Sequence, residues 1–193
     1  MKVIAVNGSA RKNGNTTHLI RVVFEELTKE GIETELLELA GKDVKGCRAC
    51  YQCFKNKDGR CSNDNDIVNE LIDKMTHADG IILGSPTYFA NVTSALKAVI
   101  DRAGLVAIAN GYQFARKVGV AVVAVRRAGS ANVFDAINKF FFINQMVVPG
   151  SRYWNLGIGL QPGDVDQDDE GIETMRVLGK NMAWLLKKIG SGA

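Results

Sequence analysis

Apolar positions along the chain recur with two periods that take turns. Short apolar or alternating runs at Met1–Asn7 (Val3, Ile4, Ala5, Val6), Glu33–Leu39, Gly80–Gly84 and Val118–Val125 read as strands, and Met146–Val148 begins a fifth. Between them the spacing turns helical. Leu19, Ile20, Val23, Phe24 and Leu27 share one face of a helix that Gly31 closes, and a second helix runs from Asp66 through Ile67, Leu71, Ile72 and Met75. Further helices are predicted over Asn91–Ala103, over Ala131–Gln145 with its three consecutive phenylalanines, and over Ile172–Ile189, where Met175, Leu178, Met182 and Leu185 share a face. Gly80–Gly84 and Val118–Val125 lack a polar alternate, as strands buried on both faces do. Strands alternating with helices in this way predict an α/β fold with a doubly wound, five-stranded parallel sheet. The segment between the second strand and the next helix falls outside regular structure, and Asp164–Glu170 reads as a solvated acidic loop that caps the last helix. No repeat, low-complexity tract or linker divides the chain, so one domain over residues 1–193 is expected.

Composition narrows the class. With 193 residues, 46% hydrophobic and 23% charged, the chain is a globular one, which excludes a disordered, collagenous or coiled-coil protein. The net charge of +3 comes from interspersed signs, so nucleic acid is not indicated as a partner. No apolar run approaches the roughly 20 residues of a spanning helix, and Met1 leads into a strand pattern rather than a secretory leader; a soluble, cytoplasmic protein with no membrane partner is expected. All four cysteines fall between Cys47 and Cys61, too close in sequence to staple distant segments. They point to a local site in a reducing compartment.

In open α/β sheets ligands bind beyond the carboxyl ends of the strands, so the loops after the first, third and fourth strands share a crevice. The first is Gly8-Ser9-Ala10-Arg11-Lys12-Asn13-Gly14-Asn15-Thr16-Thr17, where small residues, hydroxyls and an arginine meet a helix start. That set suits a phosphate; the alternative is that Ser9, Asn15 or Thr16 only caps the helix. No lysine follows Gly14 as a Walker loop requires, and no G-x-G-x-x-G is present. The second loop, Ser85-Pro86-Thr87-Tyr88-Phe89-Ala90-Asn91, presents two aromatics at the end of a buried strand, either for a flat heterocycle such as an isoalloxazine or for a subunit interface. The third, Arg126-Arg127-Ala128-Gly129-Ser130, brings positive charge to a helix start, either for an anion or as solvated arginines.

Together these loops resemble the flavodoxin-like FMN reductase superfamily, through Gly8-Ser9-x-Arg11-x-x-Gly14-Asn15-Thr16 and Ser85-Pro86-Thr87-Tyr88. The resemblance implies a flavodoxin-like sheet of order 2-1-3-4-5 and a non-covalent FMN. Ser9, Arg11, Asn15, Thr16 and Thr17 would hold its phosphate, and Pro86, Thr87, Tyr88, Phe89 and Asn91 its ring. Apart from the resemblance, with a flavin in the crevice the positive loop of Arg126, Arg127 and Gly129 would stabilise negative charge on its pyrimidine side. The cysteines, Cys47-x2-Cys50-x2-Cys53-x7-Cys61, resemble the motif of the iron-sulfur flavoproteins within that superfamily. They would ligate a 4Fe-4S cluster; a structural zinc and free thiols remain open. The final spacing is longer than family members often have, which leaves Cys61 the least secure ligand. The loop at Arg126 departs from the more glycine-rich segment of better-known members.

The expectation is therefore an FMN-dependent oxidoreductase that passes electrons between NAD(P)H or a ferredoxin-like donor and a small acceptor, as a homodimer or homotetramer. Two alternatives stand beside it: an NAD(P)H-dependent FMN or quinone reductase without a cluster, and a thiol- or zinc-based redox-sensing binding protein. His18 and His77 read as surface residues, and Lys97 with Asp101 as an intrahelical ion pair. The flavin would carry the chemistry, and no side chain stands out as catalytic.

Overall fold

The strands Lys2–Asn7 (β1), Glu33–Glu38 (β2), Gly80–Pro86 (β3), Val118–Val125 (β4) and Leu156–Ile158 (β5) form one parallel sheet in the computed structural model, which describes residues 1–190. Their order is β2-β1-β3-β4-β5, as expected, so the fold is flavodoxin-like. The helices are Asn15–Lys29 (α1), Gln52–Asn56 (α2), Val68–His77 (α3), Ser94–Ala109 (α4), Ser130–Ile143 (α5) and Asp169–Gly190 (α6). Because successive side chains on a strand face opposite ways, Val3 and Ala5 pack with Leu19, Ile20 and Val23 of α1 and Met175, Leu178 and Met182 of α6. Ile4 and Val6 pack on the other face with Leu71, Leu96, Val99, Ile137 and Phe141 of α3, α4 and α5. All eight residues of β4 are buried, which is why its sequence shows no polar alternate.

Two glycines let the first loop sit close to the sheet. A Cβ on Gly84 would lie 2.6 Å from Ile20 Cδ1 and 3.0 Å from Thr16 Cγ2, and one on Gly8 would lie 2.7 Å from Leu96 Cβ and 2.9 Å from Thr93 Oγ1. The Gly8 N–H donates to the Gly84 carbonyl at 2.8 Å, tying the ends of β1 and β3 together. The start of α1 is thereby pressed against the carboxyl end of the sheet.

The structure corrects several boundaries. Met146–Val148 is not a full fifth strand: Val147 makes a single parallel bridge to Val118, and β5 forms later, pairing Leu156 with Val123 and Ile158 with Val125. Pro149 has no N–H to carry the ladder on, so the chain leaves the edge at Pro149-Gly150 and returns at Leu156. The helix expected over Asn91–Ala103 starts at Ser94, because the Thr93 hydroxyl caps it by accepting from Leu96 N–H, and runs on to Ala109. The helix expected to reach Gln145 ends at Ile143, with Gln145 at φ 58°. The cysteine segment contains the short helix α2, and the acidic segment is more than a loop, since Asp164–Gln167 forms a 3-10 helix. Among the described residues no helix is long and apolar enough to cross a membrane.

Candidate functional site

The loops after β1, β3 and β4 meet at a cleft of about 200 Å³, open to solvent and lined by Ser9, Arg11, Gly14, Asn15, Thr16, Pro86, Thr87, Tyr88, Ala124, Arg126, Gly159 and Leu160. Helix α1 begins there without a side-chain cap and without an acidic residue in its first turn. The capping reading of Ser9, Asn15 and Thr16 therefore fails, and the positive end of the α1 dipole faces the cleft beside Arg11. The loop is held from behind. Asn7 Oδ1 accepts from Ser9 N–H at 3.0 Å, while Asn7 Nδ2 donates to Thr17 Oγ1 at 2.9 Å, and Thr17 Oγ1 donates to Glu38 Oε1 at 3.2 Å. Ser9 Oγ accepts from Arg11 N–H at 3.1 Å.

Two hydroxyls in this cleft are unusual. Thr16 Oγ1 and Thr87 Oγ1 are buried and have no hydrogen-bond partner, a cost for the free protein that a ligand's acceptors would remove. The loop after β3 is closed by paired bonds between Tyr88 and Asn91, each N–H donating to the other's carbonyl at 3.0 Å. Phe89 and Ala90 form its tip with φ of 48° and 57°, a tight turn that two non-glycine residues seldom adopt. Tyr88 thus faces the cleft while Phe89 is fully exposed and does not line it. Gly129, at φ 88°, is where the third loop touches the second; a Cβ there would lie 3.0 Å from Ala90 Cα.

Of the residues expected at a phosphate and a ring, the cleft gathers Ser9, Arg11, Asn15, Thr16, Pro86, Thr87, Tyr88 and Arg126. Thr17, Phe89, Asn91, Arg127 and Gly129 do not line it: the Thr17 hydroxyl is spent on Asn7 and Glu38, and Asn91 Oδ1 accepts from Val92 N–H at 2.8 Å. Sequence reading missed the far wall, Gly159 and Leu160. Arg11 Nη1 donates to the Leu160 carbonyl at 3.1 Å, Asn15 Oδ1 accepts from Gly163 N–H at 2.8 Å, and His18 Nδ1 lies 2.9 Å from Asp166 Oδ2. Lys97 and Asp101 form the expected exposed pair at 2.7 Å, and His77 is exposed.

The four cysteines line a second pocket, together with Arg48, Tyr51, Ser62, Asn63 and Arg102. None of the four is joined in a disulfide; Cys47 and Cys50 are exposed and Cys53 is buried. The Ala49 N–H donates to Cys47 Sγ at 3.4 Å, and Cys50 Sγ lies 3.2 Å from Ser62 Oγ. That hydroxyl contact holds the Cys50 thiol below its ordinary pKa, whereas burial, and then the neighbouring Cys61 and Cys50, push Cys53 up. Among the described residues no three His, Cys, Asp or Glu side chains come together as a ready ligand group for a single metal ion. Arg102 was not singled out from the sequence, although a charge beside Leu96, Val99, Ala103 and Val106 on the apolar face of α4 was the available signal.

A model of the NADPH-dependent FMN reductase family matches residues 1–161. The chain belongs to that family. An iron-sulfur flavoprotein of Methanocaldococcus jannaschii is 43% identical over 98% of this chain and 99% of its own length. One of Archaeoglobus fulgidus is 34% identical over 91% of this chain and 86% of its own. A solved flavodoxin from the domain Archaea shares the fold, with a TM-score of 0.62 at 16% identity over 97% of this chain and 99% of that one. As an FMN reductase family member the chain is an FMN-dependent oxidoreductase, and the cleft fits the cofactor: an uncapped helix start and two arginines for an anion, and two unpartnered hydroxyls. Thr16→Val tests that fit. Apo-protein stability is expected to hold or rise, by up to about 1 kcal/mol, because a buried unpaired hydroxyl is lost, while FMN affinity falls by roughly tenfold. Thermal melts of the apo form and a flavin-fluorescence titration measure the two.

Proposed function

We propose that this FMN reductase family member is an iron-sulfur flavoprotein, with FMN in the three-loop cleft and a 4Fe-4S cluster on Cys47, Cys50, Cys53 and Cys61. The observation that carries the reading is that all four cysteines line one pocket, with Ala49 N–H and Arg102 Nε donating to sulfur and Ser62 Oγ in contact with a third. Zinc is the competing ligation: bonds of about 2.3 Å would draw its four sulfurs to about 3.8 Å from one another, and an assay of bound metal separates the two. The relatives' names agree with the cluster.

FMN, when bound, exchanges two electrons as hydride or one at a time, and a 4Fe-4S cluster exchanges one. The protein's part is to bind and orient. Arg11 and the start of α1 would hold the phosphate, Thr16 and Thr87 would donate to acceptors in the cleft, and Arg126 would favour negative charge on the pyrimidine side of the ring. The reading extends to electron transfer between NAD(P)H or a ferredoxin-like donor and a small acceptor. It also includes assembly with further copies of the chain, which exposed Phe89, Phe142 and Trp154 support. The two pockets share no lining residue, and in such an assembly the cluster segment of one copy would lie near the flavin of another.

Anaerobic purification followed by an absorption spectrum and assays of iron, sulfide, zinc and FMN tests the reading. About four irons and four sulfides with one FMN per chain are expected. FMN with neither would leave a flavin-only reductase, and zinc in their place would make the cysteine segment structural. Cys50→Ser is expected to lose the cluster and keep FMN; unchanged iron would remove Cys50 from the ligands.

A further inference from the structure

Arg102 is a full positive charge placed on the apolar face of α4, its side chain entirely shielded from solvent. Burying a guanidinium is costly unless its donors find partners, and here each of the three nitrogens has one. Nη1 donates to Asp66 Oδ2 and, at 3.0 Å, to the Lys45 carbonyl; Nη2 donates to the Asn63 carbonyl at 2.6 Å. Nε is aimed elsewhere, at Cys61 Sγ, 3.3 Å away. A neutral thiol is a poor acceptor, whereas a thiolate repays a charged donor. The backbone of Cys61 is gripped as well: its N–H donates to Asn69 Oδ1 at 2.8 Å, and Asn69 Nδ2 donates to its carbonyl at 2.9 Å. The fourth cysteine, the one its long spacing left least secure, is thus held at nitrogen, oxygen and sulfur. Its neighbour Ser62 reaches Cys50, so the same grip sets a second sulfur.

We infer that Arg102 is a positioning residue that fixes Cys61 as the fourth ligand and raises the reduction potential of the cluster held there. The inference rests on the cluster reading above. Reduction by one electron, supplied in a titration by a chemical reductant, adds one negative charge and takes up no proton. A fixed cation touching one ligand sulfur favours the reduced state over the oxidised one, and Asp66 offsets part of that effect from the far side of the guanidinium.

Anaerobic redox titrations of wild type, Arg102→Gln and Asp66→Asn, followed by electron paramagnetic resonance of the reduced cluster and by iron and sulfide content, test it. Arg102→Gln is expected to shift the midpoint to more negative values by about a tenfold change in the reduced-to-oxidised ratio, about 59 mV for one electron, with partial loss of iron. Asp66→Asn, which leaves the cation and removes its counter-charge, is expected to shift it the opposite way. A merely structural role would loosen both variants without moving their potentials in opposite directions. A wild-type potential in Arg102→Gln overturns the inference. If that variant yields no folded protein, Asp66→Asn decides: a positive shift supports the inference, and an unchanged or negative one overturns it. Wild-type protein without iron and sulfide removes the cluster reading and this inference together, whereas a wild-type cluster with unshifted variants removes this inference alone.

Discussion

Asp66→Ala is expected to destabilise the folded chain by about 3–5 kcal/mol, because it strands the Arg102 guanidinium in the interior with no counter-charge. Both side chains of this pair are shielded from water, and Asp66 also anchors two backbone groups, accepting from Lys45 N–H at 2.9 Å and Val68 N–H at 3.1 Å. Urea melts should show a lower midpoint with an unchanged slope. A loss under about 1 kcal/mol would mean that the segment between β2 and α3 holds itself together without the pair. The pair also makes stability depend on pH. Burial alone would push the Asp66 carboxyl up, but the bonds from Arg102, Lys45 and Val68 outweigh it and leave the pKa below the ordinary value of 3.8. A group lowered in the folded state contributes fully above its unfolded pKa, so the contribution stands at neutral pH and fades as pH falls through and below about 4. The alanine variant should lose that part of the acid limb.

The second large effect concerns the flavin. Arg11→Ala is expected to weaken FMN binding by roughly tenfold to a hundredfold, the loss of a hydrogen bond to a charged group at about 1.5–3 kcal/mol. The apo-protein should melt almost as before, since Arg11 is exposed and its guanidinium makes one bond, to the Leu160 carbonyl. Arg127→Ala makes the contrast: Arg127 is exposed and does not line the cleft, so its affinity should stay within about twofold. Equal FMN affinities for Arg11→Ala and wild type would take Arg11 out of the phosphate site.

What could be read in the sequence depended on how local its cause was. The sheet was legible because strands buried on both faces must be apolar throughout, as Val118–Val125 is, and the three loops followed from where ligands sit in such sheets. The fate of individual side chains was not. Whether Thr17 faces a ligand or its own neighbours depends on Asn7 and Glu38, which are brought beside it only by the pairing of β1 with β2. Phe89 points away because two residues at its turn adopt positive φ, which its residue types do not announce. The edge strand was misplaced because Met146–Val148 has the right residues and only the interruption at Pro149 moves the main pairing ten residues on, to Leu156. How Cys61 is held was not legible, because spacing along the chain carries no information about Arg102 and Asn69, which reach it from α4 and α3.

The far wall of the flavin cleft comes from Gly159 and Leu160, and the segment behind it is tied to Asn15 and His18 near the other end of the chain. Synthesis proceeds from the N-terminus, so the phosphate loop leaves the ribosome long before the residues that complete its pocket. A product that stops before Gly159 would carry the loop after β1 without the wall that faces it, and is expected to bind FMN more weakly than the full chain.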